Sequence, residues 1–557
     1  MKILFSVRRF SLRIKTVVFL TFPVFLTAQT VNFVSSNLPI VIIDTYGQTI
    51  RNDVKITADM GIIDNGPGMR NQLTDPWNDY DGKIGIELRG SSSQMFPNKQ
   101  YALETRDSLG NDLKVSILGM PAESDWVLYA VYNDKTLLRD VLAFKLSNDL
   151  GMYGSRSRFF EVVLNNDYIG IYVFLEKIKR DKNRVDIAKL DLDDVSGDSL
   201  TGGYIIKIDK WDGEENAGWQ SKYPSVTGST ISYQYHYPRP AEIKTEQKNY
   251  IKNYIDTVES VMAGAQWNDP VNGYRKYLNV ESFVDYFLQI ELAKNVDGFR
   301  LSAFMYKDRN DKDGRLTMGP IWDFTIAFGN ANYYDAQYVS GWWIDDFEKT
   351  GGWDGSQIPF WWKKTRGDPY FANKVDCRWQ ELRQTYFNPD RINDYIDSVV
   401  TVLDEAQQRN FQRWPILGTY VWPNPVYPAT YAGEITYLKT WIQDRITWLD
   451  QNMIGDCSAV NVPVETSAPD RFQLYQNYPN PFNPSTTIKF QIPSSRYITL
   501  VVYNLIGQKV ATLVSGRQLP GRYTVEWNAG GYASGIYFYR LETGNGFMQI
   551  RKMVIIK

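Results

Sequence analysis

The chain has 557 residues, 43% of them hydrophobic and 22% charged, which is the composition of a folded protein and a length that calls for more than one hydrophobic core. Its 61 basic and 63 acidic side chains leave a formal net charge of -2, so no overall field draws in nucleic acid or an anionic membrane. His236 is the only histidine; catalytic triads, Cys-His dyads, H-E-x-x-H zinc sites and two-His iron sites all need imidazole, and most need more than one. Chemistry is therefore expected from carboxylates, Lys, Arg, Tyr or Ser, and any metal is expected to be hard and oxygen-liganded, such as magnesium, manganese or calcium.

At the N-terminus Lys2, Arg8, Arg9, Arg13 and Lys15 precede the apolar run TVVFLTFPVFLTA and then Gln29. A basic region, a short apolar stretch and a small residue at Ala28 predict a signal peptide over 1–28, with a mature chain from about Gln29 and no transmembrane helix in it. An uncleaved anchor is the alternative, weakened by Pro23.

The segments LPIVIIDT, DVKITADMGII, KIGIELRGSS and KQYALETRD read as strands separated by polar stretches. DKTLLRDVLAFKLSNDLG follows with Leu137, Leu138, Val141, Leu142 and Leu146 on one side at helical spacing, Asp134 as its N-cap and Gly151 as its stop. RFFEVVLNN and YIGIYVFLEKI predict a hairpin turning on Asn-Asn-Asp. The strand-rich part is expected to run to about residue 210. KTEQKNYIKNYIDTVESV reads as an amphipathic helix with a solvated basic side rather than a nucleic-acid site.

From about residue 281 the pattern turns helical, with ESFVDYFLQIELAKN, FANKVDCRWQELRQTYF, PDRINDYIDSVVTVLDEAQQRNF and EITYLKTWIQDRITWLDQNM. Between the first two lies a hairpin turning on Asp313-Gly314. Its tip, DRNDKDG, lacks calcium-loop chemistry, because Lys312 occupies the fifth position and no bidentate Glu follows. The tryptophans of SGWWIDDFEKTGGWDGSQIPFWWKK admit a glycan- or partner-binding platform, but closure over the helical part as core is the better reading. Cys377 and Cys457 are the only cysteines, and pairing in an oxidising compartment stays open.

DCSAVNVPVETSAPDR, 456–471, is short, polar and Pro-containing, as a linker is. Beyond it TTIKFQIP, YITLVVYNLIG, YTVEWNA, GIYFYRLETG and MQIRKMVIIK alternate with period two between Pro and Gly turns, which predicts a small antiparallel β-sandwich.

Two resemblances sharpen this reading. FQLYQNYPNPFNPSTTIKFQIP, VYNLIGQKVATLV and the last two strands, over 472–557, resemble the C-terminal sorting domain of type IX secretion cargo. That resemblance implies contact with the type IX secretion machinery and a secreted or outer-surface location. IELRGSSSQMFPNKQYALE, DKTLLRDVLAFKL, YIGIYVFLEKIKR and the pair NVDGF with GPIWDFTIAFG together resemble the CotH kinase family of atypical secreted or spore-coat kinases, over roughly 38–455. The implied fold is α+β, a bilobal kinase-like domain over 29–455 followed by the sandwich. The implied activity is phosphoryl transfer from ATP, with magnesium or manganese, to Ser or Thr of a secreted or surface protein.

Phosphoryl transfer needs cations on the phosphates, a carboxylate to orient the attacking hydroxyl and a carboxylate-held metal. By resemblance Asp297 is the catalytic Asp and Asp323 the metal-binding Asp, separated by one hairpin. Arg89 and Lys99 are the candidate phosphate cations, and Glu176 lies near the expected nucleotide pocket; Arg89 and Glu176 also read as ordinary salt-bridge partners. Ordinary kinases carry a metal-binding Asn five residues after the catalytic Asp. Ser302 stands there instead, with Asn330 as a possible substitute oxygen, and the glycine loop is absent. These departures keep a rival in play, a surface structural or adhesive protein binding glycan or a partner. A carboxylate glycosidase is a third reading.

Overall fold

The computed structural model describes residues 28–459 and 471–556, apart from 53, 212–216, 353–356, 494–495, 519 and 544–546. The predicted signal peptide and most of the predicted linker lie outside the described residues. The chain forms two compact units, one up to Val460 and one from Asn461. No helix among the described residues is long and apolar enough to cross a membrane.

The first unit opens with a closed seven-stranded barrel built from Ile40–Asp44, Ile56–Ile63, Tyr80–Leu88, Tyr101–Arg106, Asp125–Ala130, Ser157–Leu164 and Asp167–Glu176. Closure comes from the barrel's parallel pair, in which Ile40 faces Glu161 and Val41 faces Val162. Alternate residues point inward, so Met60 and Ile62, Ile84 and Ile86, Trp126 and Leu128, and Tyr172 and Phe174 fill a dry interior. The hairpin predicted on Asn-Asn-Asp turns on Asn165 and Asn166, at φ 51° and 64°, with Asp167 already paired to Leu164.

A second, five-stranded sheet runs in the order Gly218–Pro224, Thr230–Tyr237, Tyr204–Ile208, Ala303–Lys307, Leu316–Met318. The last two strands are the predicted hairpin. Of the other three, Gly218–Pro224 and Thr230–Tyr237 carry the strand-rich region well past the expected limit of about 210. Thr230–Tyr237 alternates polar and apolar residues with period two, and both of its faces are covered, with Ser232 and Gln234 buried along with Ile231, Tyr233 and Tyr235.

Eight α-helices occur among the described residues: α1 Arg139–Asp149, α2 Thr245–Ala263, α3 Val280–Ala293, α4 Trp343–Thr350, α5 Phe360–Arg366, α6 Pro369–Arg383, α7 Pro389–Arg413 and α8 Tyr431–Asn452. α1 begins four residues later than Asp134 as N-cap suggested. Asp134 is fully buried and accepts the Arg139 backbone N–H at 2.8 Å and the Thr136 N–H at 3.1 Å, so it organises a turn ahead of the helix. Gly151, at φ 87°, ends it as expected. α6 and α7 each start with Pro after a capping residue, Asp368 and Asn388. Trp342, Trp343, Trp361 and Trp362 are all buried, so these tryptophans are core.

α7 joins the helical part to the barrel. Arg409 pairs with fully buried Glu161 at 2.5 Å, Trp414 Nε1 donates to Ile169 O at 2.9 Å, and Asn410 accepts the Ile171 N–H at 3.0 Å. Gly170, at φ 107°, permits that approach, since a Cβ there would lie 2.6 Å from the Asn410 oxygen. A disulfide links Cys377 on α6 to Cys457, settling the pairing that sequence left open.

The second unit has a three-stranded and a four-stranded antiparallel sheet, as a small β-sandwich requires. Leu474, Ile488, Phe490, Leu500, Val502, Trp527, Tyr539 and Leu541 fill its core. Within it the PNPFNP stretch covers the outer edge of the last strand, Met548–Ile555. Phe482 N–H donates to Val554 O at 3.0 Å, Ile556 N–H to Phe482 O at 3.1 Å, and Asn480 Oδ1 accepts Val554 N–H at 2.8 Å. Prolines suit that position because they offer no further donor to a passing strand.

Candidate active site

A cleft of about 1250 Å³ opens between the barrel, the five-stranded sheet and the helical part of the first unit. The barrel contributes Arg89, the loop Gly90–Ser93, Tyr129 and Lys177; the sheet contributes Lys207, Asp209 and His236; the helical side contributes Asp297, Arg300, Ser302 and Asp323. Its volume is ample for a nucleotide.

Asp297 lies just past α3, and Asp323 just past the hairpin strand Leu316–Met318. One side chain ties the two loops together. Asn295 accepts the Asp297 backbone N–H at 3.2 Å and donates its own amide to Asp323 O at 2.9 Å. Asp323 occupies left-handed backbone at φ 57°, a conformation costly for a non-glycine residue and held here by its surroundings. Ser302 Oγ donates to Asp323 Oδ2 at 3.0 Å. Ser302 thus reaches Asp323 by a hydrogen bond.

Burial pushes the Asp323 carboxyl up to about 6; Arg89 pulls it down, while Asp297 and Asp209 repel its charge. Asp209 follows the strand Tyr204–Ile208, whose Ile208 faces Ala303, so the next residues outward are Asp209 and Ser302. On α1, buried Asp140 accepts the Phe324 N–H at 2.6 Å. Burial, with the charges of Asp323 and Asp134, drives Asp140 toward its protonated form. Asp297 pairs with Arg300 at 3.2 Å, and Arg300 is itself buried and donates to Val296 O at 2.7 Å.

The sequence-named residues divide. Asp297, Asp323 and Arg89 share the cleft. The Arg89 guanidinium lies 5.6 Å from the Trp322 ring and 6.0 Å from the Tyr129 ring, and its buried Nη1 has no hydrogen-bond partner among the described residues. Lys99 is not among the cleft-lining residues and donates to Gln94 O at 2.7 Å. Glu176 is fully buried in the barrel wall, held by Arg156 and Arg184 at 2.9 Å each. Asn330 sits in a buried amide network, donating to Asn133 O and Thr325 O and accepting from Asn424 at 2.9 Å. Lys177, one residue beyond Glu176, faces the cleft instead, 3.4 Å from Asp125. Sequence reasoning missed Lys177, Asp209, Asn295 and Arg300, although three of them lie inside or beside the quoted motifs.

His236 lines the cleft too, but burial holds its pKa down to about 4 and Nε2 lies 2.7 Å from Ile178 O. A neutral ring bonded to a carbonyl is structural. Among the described residues no group of three or more His, Cys, Asp or Glu side chains could cage a metal ion. The acidic side chains present fit an ion that takes one or two carboxylates and completes its shell with water and phosphate oxygens, as magnesium does. The mutual repulsion of Asp323, Asp297 and Asp209 is what such a cation would relieve.

Residues 86–449, about two thirds of the chain, match the family described as CotH kinase protein. Residues 476–557 match the secretion system C-terminal sorting domain. Inner spore coat protein H of Bacillus subtilis (strain 168) is 24% identical over 202 residues, which cover 36% of this chain and 49% of that protein. The match thus spans about half the length of that relative. The sorting domain assigns the chain to type IX export, to the cell surface or the extracellular space.

Proposed function

The chain belongs to the CotH kinase protein family, and on that premise we propose that it is an exported, metal-dependent kinase acting on Ser or Thr hydroxyls of secreted or surface proteins. The observation that carries this reading is the shared cleft of Asp297 and Asp323, with Asn295 bonded to both of their loops. Asp297 orients the acceptor hydroxyl and takes its proton as the oxygen bonds to the γ-phosphorus of ATP and the bond to ADP breaks. Arg300 keeps Asp297 oriented. Arg89 and Lys177 bind phosphate oxygens, Arg89 with a buried donor left over for the purpose. Asp323 and Asp209 would hold magnesium or manganese, which neutralises charge on the β- and γ-phosphates when bound.

In this reading the barrel and the helical part are the two lobes of a kinase-like domain over 29–455, joined through 456–471 to the sorting domain over 472–557. The adhesive rival loses support, because Trp342, Trp343, Trp361 and Trp362 are buried and offer no platform. The test is incorporation of labelled phosphate by the full chain with magnesium or manganese, beside Asp297→Ala and Asp323→Ala. Transfer by the wild type that is lost in both variants is expected. Equal labelling in all three proteins, or no metal-dependent ATP binding by calorimetry, would sink the reading.

A further inference from the structure

The segment from Gly329 to Trp342 links the Asp323 loop to α4, the place where regulated kinases carry a loop that phosphorylation orders through new contacts to arginine. Here that ordering is built in. Lys294, at the end of α3 and fully buried, donates to Asp335 O at 3.0 Å, Tyr338 O at 3.0 Å and Ser340 O at 2.6 Å, and its ammonium pairs with Asp346 at 2.7 Å. Arg445 on α8, also fully buried, donates to Val339 O and Gly341 O at 2.7 Å each. Its other nitrogens bond Glu291 O at 2.9 Å and the Glu291 carboxylate at 3.1 Å, and that carboxylate also accepts the Trp343 N–H at 2.8 Å. Trp441 donates to Gln337 O and Tyr437 to Gly329 O, both at 2.9 Å.

The segment's carbonyls are thus met at both ends and in the middle by side chains of α3 and α8, and bonds to charged donors are the stronger kind. Phe328, Tyr334 and Asp335 adopt positive φ at 49°, 55° and 58°. Such strain persists only where the surroundings over-determine the conformation. A phosphate added to this segment would have no ordering left to do.

We infer that Lys294 and Arg445 are positioning residues that hold 329–342 in its working arrangement permanently, so that the proposed transfer needs no activating phosphorylation of this segment. The inference rests on the reading of the cleft as a kinase site. The first test treats the full-length wild type with a broad-specificity phosphoprotein phosphatase, removes it, and follows transfer to casein with magnesium-ATP. Linear progress from the first time point, at a rate within about twofold of untreated protein, is expected. A lag abolished by pre-incubation with ATP, or a loss of about tenfold on dephosphorylation, would overturn the inference.

The second test compares Lys294→Met, Arg445→Met and the milder Trp441→Phe. Transfer to casein should fall on the order of 100-fold in the first two, and by less in the third. Magnesium-dependent ATP binding by calorimetry should stay within about threefold, because Arg89, Lys177 and Asp323 are untouched. A parallel loss of ATP binding would make the two cations global supports and refute the positioning role. Hydrogen exchange on the nucleotide-free wild type needs no variant and no activity: the bonded amides of Ala336, Tyr338 and Trp343 should be protected as α3 amides are, and rapid exchange of all three refutes the inference. If the wild type shows neither transfer nor ATP binding, the kinase reading itself falls and takes this one with it.

Discussion

Glu259 offers a test of the first unit's electrostatics that is independent of activity. It sits on α2, fully buried, accepting from Ser221 Oγ at 2.6 Å and from Tyr233 OH at 2.9 Å. The nearby cations Lys222 and Lys252 pair with Asp256, at 2.7 and 2.8 Å. Burial therefore pushes the Glu259 pKa up from its ordinary 4.5 to about 7, against the two hydroxyl bonds that favour the carboxylate. The folded state holds this proton more tightly than the unfolded chain does. Stability is accordingly full below pH 4.5 and is lost as pH rises through 7. A shift of about 2.5 units corresponds to roughly 3.4 kcal/mol in all, of which about 2.5 kcal/mol falls between pH 5 and pH 8. Glu259→Gln removes the titration and keeps one acceptor and one donor for the two hydroxyls. Urea unfolding followed by tryptophan fluorescence at pH 5, 6.5 and 8 should show the stability difference moving toward the variant by about 2.5 kcal/mol. A difference that stays constant within about 1 kcal/mol, or moves the other way, refutes the argument.

Two further outcomes follow from the geometry. The Cys377–Cys457 bridge closes a separation of 80 residues, so replacing both cysteines by serine should lower stability by about 4.5 kcal/mol on the chain-entropy scale; an unchanged urea midpoint would show that the unfolded chain is not constrained by it. Arg89→Met should weaken magnesium-ATP binding about tenfold or more through loss of a charged donor, while Lys99→Met, whose ammonium bonds Gln94 O, should leave it unchanged. Calorimetry giving the reverse order would return the phosphate contact to Lys99.

What could be read from the sequence is what depends on near neighbours. Six of the eight helices among the described residues announced themselves by periodic apolar faces, as Ile251, Ile255, Val258 and Met262 do on α2, all buried; α4 and α5, short and set in the tryptophan-rich stretch that reads as a loop, did not. The hairpin between Asp297 and Asp323 is local as well, and its length alone brings two loops to one end of a sheet. Barrel closure is different, since it pairs Ile40–Asp44 with Ser157–Leu164 across more than a hundred residues, and no local pattern encodes a partner so distant. The same limit decided the cations and carboxylates. Lys99 and Lys177 both lie beside strand ends in family-like motifs, and only the pairing of Asp125–Ala130 with Asp167–Glu176, which sets Trp126 opposite Glu176, sends Glu176 into the wall and Lys177 to the cleft. Asp209 reaches the site because Ile208 pairs with Ala303, bringing residues from distant parts of the chain side by side. The site is therefore half a local motif and half a consequence of strand register, and the register half is where Lys177 and Asp209 enter the cleft.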